Sequence, residues 1–124
     1  MPLNIDRPLN EVYLNESTTS LATSPVPATA VVPAPGTIER VAAAAGGSTT
    51  TATIVAVSVN GGPDIAGGKL VIPAGNGARN GSVVELSLVG ASAVTVLEGD
   101  CITFTPSGGT GATIPGAFAA VIRK

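Results

Sequence analysis

The sequence predicts an all-β chain: an antiparallel β-sandwich or jelly roll of about seven or eight strands, preceded by an extended N-terminal arm. Three observations carry this prediction. Short runs of β-branched and aliphatic residues alternate with small or polar ones at period two, the signature of half-buried strands. Clusters of Gly, Pro and Asn separate those runs at regular intervals, as turns do. No stretch repeats its apolar residues at helical spacing.

The chain divides at Gly36. All sixteen glycines lie from Gly36 onward, whereas six of the ten prolines precede it: Pro2, Pro8, Pro25, Pro27, Pro33 and Pro35. Residues 1–35 therefore read as a stiff arm and residues 36–124 as the compact body. In the arm, Leu9, Val12, Tyr13 and Leu14 are large apolar residues without a helical stripe, and Pro8 interrupts any early helix. A polar Ser/Thr run follows. Pro25 to Pro35 then favours polyproline II or extended backbone and carries Val26, Val31 and Val32. A tail kept only for solubility would carry more charge and fewer large apolar groups. These seven residues are the expected contacts of a strap that orders on a neighbouring subunit or a shell.

The body opens with Gly36 to Val41, a strand expected to fade through Ala42–Ala45 into a turn at Gly46-Gly47. Thr49 to Asn60 follows with Val55, Val57 and Val59 inward, ended by Asn60-Gly61-Gly62-Pro63. Ile65 to Ile72 points Leu70 and Ile72 inward and stops at Pro73. Ser82 to Val89 points Val84, Leu86 and Leu88 inward. Val94–Val96 and Cys101–Phe104 flank a Glu-Gly-Asp turn and read as a hairpin around which the body is organised. Pro106 to Gly116 is a loop, and Ala117 to Arg123 closes the body with Phe118, Ala120 and Ile122 inward.

Composition restricts function. Charged residues are 11% of the chain, against about 25% in an average soluble domain. Mean hydropathy is +0.47, yet no apolar run approaches the ~20 residues of a membrane helix. Such a chain is expected to bury surface against copies of itself or a larger assembly. A net charge of -2, with no basic patch and three aromatics in all, argues against nucleic-acid binding. With no His, Ser-His and Cys-His nucleophile pairs are excluded. One Cys excludes an intrachain disulfide and a Cys-rich metal site, and Cys101 reads as a small half-buried hydrophobe. Glu98 and Asp100 stand two apart in a turn without the aromatic platforms of a sugar cleft, so they read as solvated. Gly75 to Gly81 has neither the spacing nor the following helix of a phosphate loop. No catalytic residue, cofactor, metal, membrane or small-molecule substrate is expected. The first eight residues lack the basic start and apolar run of a secretory signal, so the product is expected in the cytoplasm unless it leaves within a particle.

The series Pro-Gly-Thr-Ile-Glu-Arg-Val (35–41), Ile-Val-Ala-Val-Ser-Val-Asn-Gly (54–61), Leu-Val-Ile-Pro-Ala-Gly (70–75), Val-Leu-Glu-Gly-Asp-Cys-Ile-Thr-Phe (96–104) and Val-Ile-Arg (121–123) resembles a β-sandwich module of tailed-bacteriophage virion proteins. Such modules occur in capsid decoration (cement) proteins and in head or tail fibres. The resemblance covers roughly residues 35–124 and rests on packing and turn residues, so it carries over no catalytic group. It implies a protein of the capsid surface, made in the host cytoplasm, whose partners are the major capsid protein and itself. A homotrimer is expected before a dimer. One module behind one proline-rich arm suits a cement protein better than a fibre. The competing expectation is a receptor-recognition or adhesion module using loops 61–68, 74–81 and 106–116.

Overall fold

The structure, a computed structural model, describes residues 11–74 and 81–124. Among these, nine strands form two antiparallel sheets and there is no helix. In order they are β1 (Glu11–Thr18), β2 (Ala28–Val31), β3 (Gly36–Ala45), β4 (Thr53–Val59), β5 (Leu70–Ile72), β6 (Gly81–Glu85), β7 (Thr95–Val96), β8 (Cys101–Ser107) and β9 (Gly116–Arg123). The chain is a β-sandwich.

The first sheet runs β1-β9-β3-β6, with β7 attached to the start of β3; the second runs β2-β8-β4-β5. Pairing is nested. The first strand lies beside the last, β2 beside β8, β3 beside β6 and β4 beside β5. A long antiparallel ribbon wound onto itself gives this order. Its inner faces meet in one core that includes Leu21, Val32, Ile38, Val41, Val55, Val57, Leu70, Ile72, Ile102 and Ile122. Phe104 of the second sheet stacks on Phe118 of the first at 5.0 Å between ring centroids and 3° between planes. Val55, Val57, Leu70, Ile72, Phe118, Ala120 and Ile122 all face inward, as their alternation predicts.

Three expectations are corrected. Residues 11–35 are not an arm outside the body. β1 pairs along its full length with β9, β2 pairs with β8, and Leu21, Ala28, Ala30 and Val32 enter the core. The prolines flank β2 rather than interrupt it, because a residue lacking an N–H is tolerated where no ladder bond is required. Secondly, β7 and β8 do not form a hairpin. The turn is present, with Asp100 N–H donating to Leu97 O at 3.0 Å and Gly99 at φ 92. It carries the chain between sheets, since β7 pairs with β3 and β8 with β2 and β4. Thirdly, β3 continues through Ala45, held by eight registered pairs with β9. A bulge between Ile38 and Arg40 lets Ile38 and Val41, three apart, both face inward. Strands β5 and β6 are also shorter than predicted, and Leu88 is exposed.

Among the described residues three buried polar atoms lack a partner: the Arg40 Nε and the Thr49 and Thr53 hydroxyls. Thr53 is fully buried and its hydroxyl has no hydrogen-bond partner, packed against Gly109. A desolvated hydroxyl without a partner costs stability that a methyl of the same shape does not. Thr53→Val is expected to raise unfolding free energy by about 1 kcal/mol, read as a higher urea midpoint at unchanged slope; a lower midpoint contradicts it.

Candidate interaction surface

The sequence-predicted contacts do not converge. Leu9 lies outside the described residues. Val12 and Leu14 face inward from β1, half-buried against the core. Tyr13 points outward from the first sheet, 64% exposed, whereas Val31 lies on the outer side of the second, 61% exposed. Val26 is exposed in the β1–β2 loop, where its carbonyl accepts from the Thr18 hydroxyl at 2.6 Å. Val32 is fully buried: its N–H donates to Asp100 O and its carbonyl accepts from Gly99 N–H, both at 2.8 Å. Val32 is a core residue and is withdrawn as a contact.

The outer face of the first sheet has two zones. At one end Arg123 reaches both Glu11 at 3.2 Å and Glu39 at 3.1 Å, Arg40 meets Glu39 at 2.8 Å, and the Tyr13 hydroxyl donates to Glu11 at 2.7 Å. The two arginines face solvent while the carboxylates are partly covered, so the network orders the surface more than it stabilises the fold. The Glu11 bond and charge hold the Tyr13 hydroxyl above its ordinary pKa. Burial pushes the Glu39 carboxyl up, but its hydrogen bonds and the Arg123 and Arg40 charges outweigh that and hold it below the usual range. At the other end the same strands present small side chains. Ala42 and Ala44 are in register with Ala119 and Ala117, and with Val83 and Gly81 on the far side. They leave a shallow trough of about 380 Å³ across the four strands, adjoining a hollow of about 260 Å³ between Ala44–Gly46 and Pro115–Ala117. Alternation did not reveal this zone, because Ala42–Ala45 place small apolar groups on both faces and Ala117 and Ala119 stand outward between inward Phe118 and Ala120. Absence of any outward polar residue in those runs was the available signal.

The ends of the sandwich differ too. Loops 19–27, 46–52 and 108–115 gather at the trough's end, and all their polar side chains are Ser or Thr, none charged. They are tied to one another: Leu21 N–H donates to Ile114 O, Thr50 N–H to Thr110 O, and the Thr23 hydroxyl to Gly111 O. Leu21 closes against Gly116, where a Cβ would overlap its side chain. Loops 60–69 and 97–100 lie at the opposite end. Loops 61–68 and 106–116 therefore cannot form one recognition site, and 75–80 of the third expected loop lie outside the described residues.

Asp100, read from sequence as a solvated turn acid, instead fastens its turn. It accepts from Leu97 N–H at 2.8 Å and from the Asn60 amide at 3.1 Å, while Asn60 accepts from Cys101 N–H at 2.9 Å. The Leu97 bond first, then Asn60, holds the Asp100 carboxyl below the ordinary aspartate range. A depressed folded pKa adds stability that is present above the unfolded value, about 3.9, and is lost as pH falls through the folded one. Asp100→Asn is expected to flatten the fall in stability below about pH 4, measured by urea unfolding at stepped pH. An unchanged acid limb would remove Asp100 from that role. Among the described residues no group of three or more His, Cys, Asp or Glu could hold a metal.

No family model matches the chain, and no curated protein matches it. Solved structures share the fold. A chain of the acid-stable capsid of Helicobacter pylori bacteriophage KHP30 superposes with TM-score 0.59 at 12% identity, covering 92% of this chain and 87% of that one. Eiger TNF from S. frugiperda gives 0.53 at 8% identity over 92% and 91%. The tripod of the bacteriophage Tuc2009 baseplate gives 0.51 at 10% identity over 100% and 69%. At these identities the likeness is one of architecture.

Proposed function

We propose that this chain is a non-enzymatic structural protein of a virion, and specifically a decoration (cement) protein that binds the outer surface of a phage head and clamps neighbouring shell subunits. The observation that carries this is the surface: an open alanine-lined trough, continuous with the described loops 19–27, 46–52 and 108–115, which carry hydroxyls and no charge. Protein interfaces have cores depleted of charge, and burying such a surface strands no ion. The nested pairing of the β-sandwich and the likeness to a phage capsid chain support a place in a particle. The partners on this reading are the major capsid protein and further copies of this chain, a trimer before a dimer. The mechanism is mechanical: buried interface links shell subunits against internal pressure. The test is the copy number of this polypeptide in purified particles relative to the main shell protein. A ratio within a few-fold of the shell subunit is expected. Complete absence from particles ends the virion reading.

A second reading is an adhesion module of a fibre or baseplate, favoured by the likeness to the Tuc2009 tripod and by the described loops 19–27, 46–52 and 108–115, whose hydroxyls suit adaptable hydrogen bonding. It predicts a handful of copies per particle and loss of cell attachment on changing loops 46–52 or 108–115.

A further inference from the structure

We propose that residues 11–32, which carry β1 and β2, are exchanged between copies of this chain, so that each body receives this segment from a second copy. The segment can leave as a unit. β1 is the edge strand of the first sheet and β2 the edge strand of the second, so each pairs on one side only among the described residues. Its docking is specific to this chain. β1 runs along β9 from Glu11 opposite Arg123 to Thr18 opposite Gly116, and Leu21 closes against Gly116. The Val32 N–H donates to Asp100 O, and the Val32 carbonyl accepts from Gly99 N–H. A second body offers the same partners in the same register, so exchange gives up none of these contacts.

The linker favours exchange. Pro33-Ala34-Pro35 alone joins Val32 to Gly36, the first residue of β3. A residue followed by proline is biased toward extended backbone, and a proline-rich run toward a straight polyproline II course. The chain instead bends at Ala34 to lay the segment on its own body. A short linker held against its local preference invites an exchanged form, in which the linker straightens and the segment docks elsewhere.

Reach fixes where the two bodies meet. The four steps from Val32 to Gly36 span about 13 Å at most, so the neighbouring body lies at the end that carries the 97–100 turn. Two large apolar side chains are exposed there. Val31 is the last residue of β2, and Leu97 opens the turn that Val32 fastens. Contact between the bodies covers both, which offsets part of the freedom lost on association. In a pair the exchange is reciprocal; passed round a ring it closes a trimer, and in both each body receives one segment.

The test uses the full chain in solution, so it is independent of the particle reading: a virion protein can keep its own segment, and exchange can occur in a protein that never enters a virion. Ser17 and Ala117 are paired across β1 and β9 and both are exposed. In a Cys101→Ala background, a protein carrying Ser17→Cys and one carrying Ala117→Cys are unfolded together in urea, refolded together and treated with a short bismaleimide. A covalent heterodimer is expected, with the two peptides joined in its digest. Its yield should exceed several-fold that of the Ser17→Cys protein refolded with one carrying Val71→Cys, which is exposed on the other sheet. Equal yields overturn the proposal. So does a single chain carrying both Ser17→Cys and Ala117→Cys that links only within itself. Pro33→Gly combined with Pro35→Gly frees the linker to bend, and should weaken self-association at least tenfold by sedimentation while melting as cooperatively as the parent. Unchanged association overturns the proposal as well.

Discussion

Replacing Phe118 with Ala lowers the free energy of unfolding by about 3–5 kcal/mol. Phe118 is 2% exposed and lies flat on Phe104, 1% exposed, so the pair bridges the two sheets. Its neighbours on the same sheet face, Ala43 and Ala120, are too small to collapse into the space. The cost is then the lost transfer energy and a persistent cavity. Against a total of about 5–15 kcal/mol for a domain, the variant lies at or below the threshold of folding at growth temperature. Urea unfolding measures the change as a lower midpoint at constant slope. Phe118→Leu keeps most of the volume and should cost far less. A double-mutant cycle with Phe104→Ala should return a coupling of about 0.5–1.5 kcal/mol for the stack. A loss under 1 kcal/mol for Phe118→Ala, on the scale of a surface substitution, would mean that the sheets do not meet through this pair.

A chain that begins at Gly36 fails to fold. It lacks β1 and β2, so β9 and β8 each lose the partner on one side. It lacks Leu21, Ala28, Ala30 and Val32, the part of the core that this segment supplies. The carbonyl of Val32 also receives Gly99 N–H, so the turn between β7 and β8 loses an anchor. Two newly bare strand edges over an open core lead to aggregation. The expected result is no cooperative thermal transition and loss from the soluble fraction. Removing residues 2–10 alone is expected to retain a cooperative transition, because no described strand begins before Glu11. A cooperatively melting 36–124 fragment would show that the β1 and β2 pairings add little. A shortened particle-binding assay with such a fragment would report misfolding rather than the role of an arm.

Much of the body was legible because alternation is a local property. Val55 and Val57, Ile102 and Phe104, and Phe118, Ala120 and Ile122 declare both strand and inward face within a few residues. What alternation does not encode is the partner. Glu11 pairs with Arg123 across almost the whole sequence, and nothing in either neighbourhood names the other. The proline clusters drew the boundary at Gly36, yet they delimit β2 rather than detach it. The Glu-Gly-Asp turn was read correctly as a turn and wrongly as a hairpin, since a tight reversal can join strands of different sheets. On the surface, Tyr13 and Val31 were legible as large apolar groups in polar surroundings and are exposed. Val32 has the same character and is buried, because adjacent residues of a strand face opposite ways. The trough was not legible, because alanine satisfies either face of a sheet.

The place of β9 governs how the chain reaches its native state. This strand lies between β1 and β3 in the middle of the first sheet, yet it follows every other described strand in the sequence. During synthesis β1 and β3 wait without the strand that both require, and no native first sheet exists until Arg123 has cleared the ribosome. Folding then depends on bringing β1 and β9 together across almost the whole described sequence. Contacts this distant in sequence place the refolding rate in the millisecond-to-second range of slow β-proteins. Until then the waiting strands are open to other copies of the same chain, so yield falls as the concentration of unfinished chains rises.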